Sequence, residues 1–314
     1  MHRRTRIDQR ASVLVDPGSG RQTFYSPDDA AGVPTTAARM SVYEREAGAL
    51  ACGASASAIK RAGLDATSVT HIVTVSCTGF VAPGIDQMVV KGLGLRAGVG
   101  RTHIGFMGCH GALNGTAVAS ALAAADPAAV VLLCCVELCS LHMHYSTRVD
   151  QLIANALFAD GAAAAIFSQR ARPECPEVMG CRSWLVPDSA ELMAWHIGDR
   201  GFEMTLGATV PERLERVIPA WVESVLDTCN LRISEVGGWA IHPGGPRIVE
   251  GLAAALGLPE AATTDSLDIL RENGNMSSPT VLFILDRMMR ENRPRPWVAM
   301  AFGPGLAAEA VVLA

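Results

Sequence analysis

The most restrictive feature of this sequence is the run Val130–Val136, in which every residue is apolar. The run is too short to span a bilayer, and it is typical of a β-strand that is buried on both faces of a sheet. Such a strand needs a layer of structure on each side. Alanine-rich helical patterns at Thr36–Ala62 and His110–Ala125 supply candidates for those layers. We therefore expect sheets that are covered by helices.

Short β-branched runs alternate with helical patterns along the whole chain, which predicts an α/β protein. Further strands are expected at His71–Ser76, His103–Phe106, Ala163–Phe167, Glu177–Val186, Phe202–Leu206, Trp239–Ile241, Trp297–Phe302 and Ala307–Leu313. Further helices are expected at Asp86–Leu95, Ser146–Phe158, Val210–Asn230, Arg247–Leu256, Leu267–Glu272 and Ser278–Arg290. The rhythm is similar on either side of residue 170. We therefore expect two halves, residues 1–170 and 171–314, each with a central mixed sheet covered by helices.

Composition excludes several classes of function. The chain is 49% apolar and 18% charged, so it has material for a large core. Its net charge is -5 and it lacks a long basic block, so nucleic acid is not an expected partner. The nine cysteines are irregularly spaced, and the first residues do not form a secretory leader. We therefore expect a cytoplasmic protein with reduced thiols and no transmembrane segment.

Cys109 lies in the glycine-rich segment Gly105–Gly115, between a strand pattern and the start of a long helical pattern. Glycines let the backbone turn sharply there and let a substrate approach closely. Unpaired amides at a helix start stabilise negative charge on sulfur. This position therefore predicts a thiol with a lowered pKa that reacts as the thiolate. A buried structural cysteine is the alternative interpretation.

Two more polar residues lie in segments flanked by glycine or proline, and a purely structural role does not account for these segments. His242 follows a predicted strand in Ile241–Pro246, and Asn275 precedes a predicted helix in Glu272–Thr280. Alone, each is more typical of a core histidine or a turn residue. Together with Cys109 they supply what thioester condensation needs: a nucleophile, an imidazole and an uncharged hydrogen-bond donor for a developing enolate. A carboxylate in the place of Asn275 would repel that negative charge.

Five motifs in combination resemble the type III polyketide synthases, the chalcone synthase-like family of the thiolase-like superfamily, in its bacterial form. The motifs are Gly105–Cys109, Leu157–Ala162, Trp239–Gly245, Gly274–Ser278 and Phe302–Gly305. The resemblance begins near residue 36 and implies a thiolase-like fold. It implies an acyltransferase that condenses malonyl-CoA iteratively onto a cysteine-bound starter from acyl-CoA and then cyclises the product. It implies no metal and no resident cofactor, because the coenzyme A thioesters are substrates.

The resemblance also assigns roles to individual residues. Cys109 takes the place of the nucleophile, His242 of the acid–base residue and Asn275 of the oxyanion donor. Met204 stands where plant members carry a gatekeeper phenylalanine, and Trp195 replaces a small residue of the cavity wall. These substitutions favour a malonyl or fatty-acyl starter and a pyrone, resorcinol or naphthalene-type product. The substrate-binding positions that the resemblance implies are Cys77, His142, Phe158, Trp195, Met204, Ser277, Gly303 and Pro304.

The resemblance further implies a homodimer. It also leads us to expect that the first strand and helix of the family are missing from this chain. Arg4 and Arg10 are then the residues that remain at the start of the chain to contact coenzyme A.

Three alternatives stay open at this point. The first is a ketoacyl synthase III-like enzyme, which would perform a single condensation with acyl carrier protein. The second is a shortened, inactive homologue that dimerises with a full-length relative. The third is a metal site, although the spacing of its candidate ligands is irregular for one. Those ligands would be Cys134, Cys135, Cys139, His142 and His144.

Overall fold

The structure of the chain is a computed structural model that describes residues 5–25, 32–170 and 172–314. Its strands are β1 His71–Ser76, β2 Gly100–Gly105, β3 Val131–Leu138, β4 Asp160–Phe167, β5 Val178–Leu185, β6 Met193–Gly198, β7 Gly201–Leu206, β8 Gly238–Ile241, β9 Trp297–Gly303 and β10 Ala307–Leu313. Its helices, numbered within these ranges, are α1 Thr36–Arg61, α2 Ile85–Leu93, α3 Gly111–Ala125, α4 Val149–Leu157, α5 Val210–Asp227, α6 Pro246–Ala255, α7 Thr264–Asn273 and α8 Pro279–Arg290.

Two four-stranded mixed sheets organise the fold. The first has the strand order β2-β1-β3-β4, with β1 parallel to both β2 and β3 and with β4 antiparallel to β3. The second has the order β5-β10-β9-β8, with β8 parallel to β9 and β10 antiparallel to both of its neighbours. The expected α/β architecture with a mixed sheet in each half is therefore confirmed.

The apolar side chains form three clusters that define five layers. Helices α3 and α8 pack between the two sheets, where alanines such as Ala112 and Ala119 are fully buried. Helices α1 and α2 cover the outer face of the first sheet, and α5 and α6 cover that of the second. Small residues allow the close approach in the middle layer, because a Cβ at Gly115 would lie 2.6 Å from Leu133 Cδ1.

The run Val130–Val136 behaves as its composition predicts, because all of β3 is buried. Cys134 packs toward α1 and Cys135 toward the middle layer, since successive side chains of a strand point to opposite faces. The strand that the sequence does not predict is β6. It pairs with β7 as an antiparallel hairpin outside both large sheets, with Trp195 opposite Met204. The alternation in β6 is weak, and its pairing depends on tertiary contacts.

The topology brings the ends of several strands together. Strands β1, β2 and β8 end immediately or a few residues before Cys77, Cys109 and His242. Carboxyl ends of parallel strands share one edge of a sheet, which is where sites of α/β proteins form. Among the residues described, none of the helices combines the length and the apolar character that a membrane span requires.

Candidate active site

Cys109 sits on a sharp turn that joins β2 to α3. Phe106 and Gly108 both have left-handed backbone conformations, with φ of 58° and 69°, and a single 3-10 turn leads from Gly108 into the helix. The fold leaves Cys109 only 9% exposed. The glycine is required by packing as well as by conformation, because a Cβ at Gly108 would lie 2.6 Å from Pro304 Cδ. The close packing of Gly108 against Pro304 therefore constrains the turn that carries the Cys109 thiol.

Gly108→Ala is expected to destabilise the protein by about 2–4 kcal/mol, since it adds a Cβ to a left-handed residue and forces it against Pro304. Gly94→Ala is the matched control. Gly94 has nearly the same φ of 65°, but nothing lies within 4 Å of its added Cβ. We expect the control to cost about 1 kcal/mol. Denaturant unfolding measures both variants, and equal losses would show that the Pro304 contact is unimportant.

Asn275 is held by the backbone on both sides. Its N–H donates to Leu157 O at 2.9 Å, and its carbonyl accepts from Ala159 N–H at 2.8 Å, which forms a bridge opposite Phe158. The amide Oδ1 accepts from the N–H of Ser277 at 2.8 Å and lies 4.0 Å from the Cys109 Sγ. Because a backbone N–H only donates, this bond orients the amide so that Nδ2 is left to donate to a substrate.

His242 follows β8 and is 1% exposed, with its backbone N–H donating to Met300 O at 2.8 Å. Neither ring nitrogen has a hydrogen-bond partner within the described ranges. Burial, together with the smaller effect of the neighbouring His110, lowers the pKa of His242 to about 3. The imidazole is therefore neutral at physiological pH and has the lone pair of a base. Two unpartnered nitrogens on so deeply buried a ring indicate a side chain kept for a substrate or for a proton.

The protonation state of Cys109 differs from the sequence-based expectation. Burial raises the pKa of the Cys109 thiol to about 11, even though its hydrogen bond with Ser277 favours the thiolate. The expected lowering of this pKa is therefore wrong. Loss of water around the sulfur outweighs the amides of the helix start. The Cys109 thiol and the His242 imidazole are therefore both neutral at physiological pH.

Alkylation of Cys109 by iodoacetamide is expected to become about tenfold faster per unit between pH 7 and pH 9, because the thiolate fraction rises tenfold per unit below a pKa of about 11. Mass spectrometry of the Cys109 peptide measures the rate. His242→Ala should show the same slope, since the histidine is neutral throughout this range. A plateau that begins below pH 7 would instead demonstrate a thiolate–imidazolium pair in the resting protein.

A buried carboxylate stands behind the nucleophile and ties three segments together. Glu137, in β3, is fully buried and accepts hydrogen bonds from Cys77 N–H at 2.9 Å, Thr78 Oγ1 at 2.7 Å and Ser278 Oγ at 2.7 Å. Burial raises the pKa of Glu137, while these donors favour its charged form. The carboxylate therefore fixes the loop after β1 against the segment that carries Asn275.

Ser277 lies between two thiols. Its Oγ is 3.5 Å from the Cys77 Sγ, and it also hydrogen-bonds to Cys109. Burial raises the pKa of Cys77 well above its usual value, so this second thiol is protonated at rest. The structure thus brings together Cys77, Cys109, Asn275 and Ser277, which come from three distant stretches of the chain.

A cavity of about 460 Å³ lies beside this cluster, and Cys109, His242 and Asn275 are not among its lining residues. Four of the predicted substrate-binding residues do line it: Phe158, Trp195, His142 and Met204. Phe158 links the cavity to the cluster through its bridge with Asn275. Trp195 links them as well, because its Nε1–H donates to Cys77 O at 3.0 Å.

Gly303 and Pro304 lie elsewhere. They pack against the nucleophile turn, and a Cβ at Gly303 would lie 2.4 Å from His110 Cδ2. In this structure they are not among the residues that line the cavity. They support the turn that presents Cys109.

His142 forms part of the wall that separates the cavity from Cys77. Its Nε2–H donates to Thr78 O at 2.6 Å, and its Nδ1 accepts from Phe202 N–H at 3.0 Å. The ring stacks on Phe202, with 4.2 Å between centroids, and meets Trp195 edge-on. Burial lowers the pKa of His142 to about 3, so this histidine is neutral and both of its nitrogens are occupied. It fixes the β6–β7 hairpin against the loop after β1.

The candidate metal ligands do not converge. Cys134 and Cys135 point to opposite faces of β3, and the Cys134 thiol donates to Ala51 O at 3.6 Å. Both nitrogens of His142 are taken by backbone groups. Within the described ranges, no group of three or more His, Cys, Asp or Glu side chains is arranged to hold a metal ion.

Arg4 lies outside the described residues. Arg10 lines the cavity, and its Nη1 donates to the carbonyls of Asn155 and Phe158 at 2.6 and 2.8 Å. The sequence predicts contacts of both arginines with coenzyme A, whereas the structure directs Nη1 of Arg10 at the protein backbone.

Sequence reasoning missed Glu137 and Phe202. Glu137 had a detectable signal, because a carboxylate at the end of the apolar run of β3 requires buried partners. Phe202 had none, because a lone aromatic residue in a polar, glycine-broken region does not reveal what it stacks against.

Comparison with known proteins shows that the chain matches a known family along most of its length. Residues 26–170 match the family described as the N-terminal domain of chalcone and stilbene synthases. Residues 177–314 match the C-terminal domain of the same enzymes.

Individual relatives extend along nearly the whole chain. The 1,3,6,8-tetrahydroxynaphthalene synthase of Streptomyces peucetius subsp. caesius is 32% identical over 326 residues, which cover 96% of this chain and 86% of the relative. The alpha-pyrone synthesis polyketide synthase-like Pks18 of Mycobacterium tuberculosis is 29% identical over 321 residues, which cover 99% and 80%. The crystal structure of PKS-I from the brown alga Ectocarpus siliculosus superposes with a TM-score of 0.94 at 32% identity, covering 98% of this chain and 86% of the other.

Proposed function

The chain belongs to the chalcone and stilbene synthase family, and from this premise we propose that Cys109, His242 and Asn275 carry its chemistry. It is a type III polyketide synthase with a thiolase-like fold, an acyltransferase that condenses malonyl-CoA iteratively and cyclises the chain. The residue roles, the starter and the product are our proposals. The observation that carries the residue roles is the contact of the Cys109 thiol with the Asn275 amide oxygen at 4.0 Å.

Loading begins with a neutral Cys109 thiol and a neutral His242 imidazole. As the Cys109 sulfur attacks the carbonyl carbon of an acyl-CoA, His242 accepts the thiol proton through a ring nitrogen that has no hydrogen-bond partner among the described residues. The tetrahedral oxyanion accepts hydrogen bonds from the Asn275 Nδ2–H and the newly formed imidazolium. The carbonyl then re-forms, the C–S bond to coenzyme A breaks, and the imidazolium returns its proton to the departing thiolate. The product of this step is the Cys109 thioester and free coenzyme A.

Extension follows on a malonyl thioester in the same place. Loss of carbon dioxide moves the electron pair of the broken C–C bond into an enolate, whose oxygen takes hydrogen bonds from the Asn275 amide and from His242. The enolate carbon then attacks the Cys109 thioester, a new C–C bond forms and the cysteine leaves as thiolate. An uncharged amide suits this step because a carboxylate would repel the enolate. Burial of the site strengthens both hydrogen bonds.

The cavity supports a product of moderate size. Its volume is about 460 Å³, and Trp195 and Met204 face each other across the β6–β7 hairpin at its wall. We propose a malonyl or fatty-acyl starter and a pyrone, resorcinol or naphthalene-type product. The names of the relatives, a tetrahydroxynaphthalene synthase and an alpha-pyrone synthesis protein, point in the same direction.

Incubation of the protein with labelled malonyl-CoA and a panel of acyl-CoAs, followed by mass analysis, tests this function. We expect a ring product that contains several malonyl-derived units and that forms without acyl carrier protein. A linear β-ketoacyl product formed only with acyl carrier protein would favour the ketoacyl synthase III alternative. Absence of any product would favour an inactive homologue.

We further propose that the enzyme is a homodimer that works in the cytoplasm. Strand β2 is an edge strand, and its end carries Phe106 and Met107, which are 45% and 43% exposed beside the nucleophile. An unpaired edge next to exposed apolar side chains is typical of a surface that a second copy covers. All nine cysteines are free thiols, which suits a reducing compartment. Sedimentation velocity measures the oligomeric state.

A further inference from the structure

The N-terminal segment forms one wall of the substrate cavity. Ile7, Arg10, Ser12 and Leu14 are among its residues that line the cavity, which Trp195 also lines. The segment is pinned at its beginning, because Asp8 N–H donates to Arg271 O at 2.8 Å.

Asp160 pins the same segment on the other side of Arg10. Its N–H donates to Ala11 O at 3.0 Å, and its Oδ2 accepts from Val13 N–H at 2.8 Å. Ser140 donates its N–H and hydroxyl to the same carboxylate at 2.7 and 2.6 Å, so the carboxylate is itself fixed. Asp160 also attracts the guanidinium of Arg10 electrostatically. Hydrogen bonds of the backbone on both sides of Arg10 therefore fix its position independently of its side-chain contacts.

The Arg10 side chain then reaches the segment that positions Asn275. Its Nη1 donates to Phe158 O at 2.8 Å and to Asn155 O at 2.6 Å, both of which are charge-assisted hydrogen bonds. Phe158 forms the bridge with Asn275. The stem of Arg10 occupies the space beside the preceding residue, since a Cβ at Gly274 would lie 2.8 Å from Arg10 Cγ. One side chain thus contacts both strands of the bridge.

We propose that Arg10 is a positioning residue for malonyl decarboxylation, because it holds the Phe158–Asn275 bridge and thereby the Asn275 amide against the site of the enolate. This inference rests on the proposed function of Asn275 and deepens it. The guanidinium touches backbone carbonyls and not the reacting atoms. Its effect is therefore geometric, and a small displacement of an oxyanion donor is enough to slow the reaction strongly.

Steady-state decarboxylation of malonyl-CoA by the full chain tests the proposal. Arg10→Ala is expected to lower kcat about 10- to 100-fold, in line with the cost of misplacing a catalytic group by an ångström, while KM changes less than about twofold. The rate of Cys109 alkylation should stay at its wild-type value, since the nucleophile turn does not depend on Arg10. Arg10→Lys keeps a positive donor and should recover part of kcat. Guanidinium ion added at a non-denaturing concentration should rescue Arg10→Ala.

Arg6→Ala is the matched control. Arg6 belongs to the same segment, but its side chain is 60% exposed and pairs with Glu250. We expect its kcat to equal that of the wild type.

Several results would overturn the proposal. A higher KM with unchanged kcat, together with stronger salt dependence, would place Arg10 on the phosphates of coenzyme A. A parallel loss of decarboxylation, thiol alkylation and thermal stability would show that Arg10 has only a general structural role. The same conclusion would follow if the kcat of Arg10→Lys were no higher than that of Arg10→Ala. If Arg10→Ala does not fold, Arg10→Lys tests the proposal in its place. A lower kcat with little change in KM would support it, and a higher KM with unchanged kcat would contradict it. Failure of the wild-type chain to decarboxylate malonyl-CoA would instead contradict the proposed function itself.

Discussion

Cys109→Ala is expected to lower polyketide formation at least about 10⁴-fold while leaving measurable decarboxylation of malonyl-CoA. Chain extension requires a covalent thioester, and alanine cannot form one. Decarboxylation requires only that the enolate oxygen be stabilised, and the Asn275 amide keeps its backbone anchors at Leu157 and Ala159 in this variant. Removal of the sulfur also opens space for the thioester without disturbing the bond between Asn275 and Ser277.

Two measurements separate these activities. Intact-protein mass spectrometry after incubation with acyl-CoA reports loading, and release of labelled carbon dioxide from malonyl-CoA reports decarboxylation. Cys134→Ala is a suitable control, because its thiol is also buried but faces α1, away from the site. Normal extension by Cys109→Ala would show that another group, such as the thiol of Cys77, carries the growing chain, and the assigned roles would then be wrong.

Asn275→Asp is expected to lower decarboxylation by about 10²–10³-fold, equivalent to about 2.7–4 kcal/mol of transition-state stabilisation. Aspartate has the shape of asparagine and keeps an oxygen that can accept from the Ser277 N–H, as Oδ1 does now at 2.8 Å. The substitution therefore keeps the bond to Ser277 and removes the Nδ2 donor. It also adds a negative charge beside a developing enolate. We expect little change in folding and a large change in the reaction.

Asn275→Ala provides the comparison. It removes the donor without adding charge, but it also leaves the Ser277 N–H without its acceptor. We expect a loss of similar size together with lower stability, which thermal unfolding measures. In both variants Cys109 should still react with iodoacetamide. Decarboxylation at the wild-type rate in Asn275→Asp would exclude the amide as an oxyanion donor.

Much of the fold follows from local sequence pattern. The apolar run of β3 required cover on both faces, and the five-layer arrangement provides it. The predicted strands His71–Ser76 and Ala307–Leu313 match β1 and β10 at both ends. The sequence does not predict strand β6, whose contacts are non-local: the Trp195 Nε1–H donates to Cys77 O across the fold. Local pattern holds no information about that partner.

The chemistry of the site divides in the same way. Neighbouring glycines and strand ends mark Cys109, His242 and Asn275 as candidate catalytic residues. The structure places Cys109 and Asn275 in contact. The pKa of Cys109 was predicted in the wrong direction, because a helix start is a local feature whereas desolvation depends on everything packed around the sulfur.

Local pattern is enough to predict the α/β class, most of the strands and the residue types available for catalysis, because periodicity, glycine positions and side-chain chemistry are local properties. Only the packed fold makes the Cys109 thiol and the His242 imidazole neutral. It also places Glu137 against the loop after β1 and directs Arg10 at the carbonyl of Phe158. Each of these depends on which distant segments exclude water from a group or reach it with a hydrogen bond. That is a property of the packed chain and of no single stretch of it.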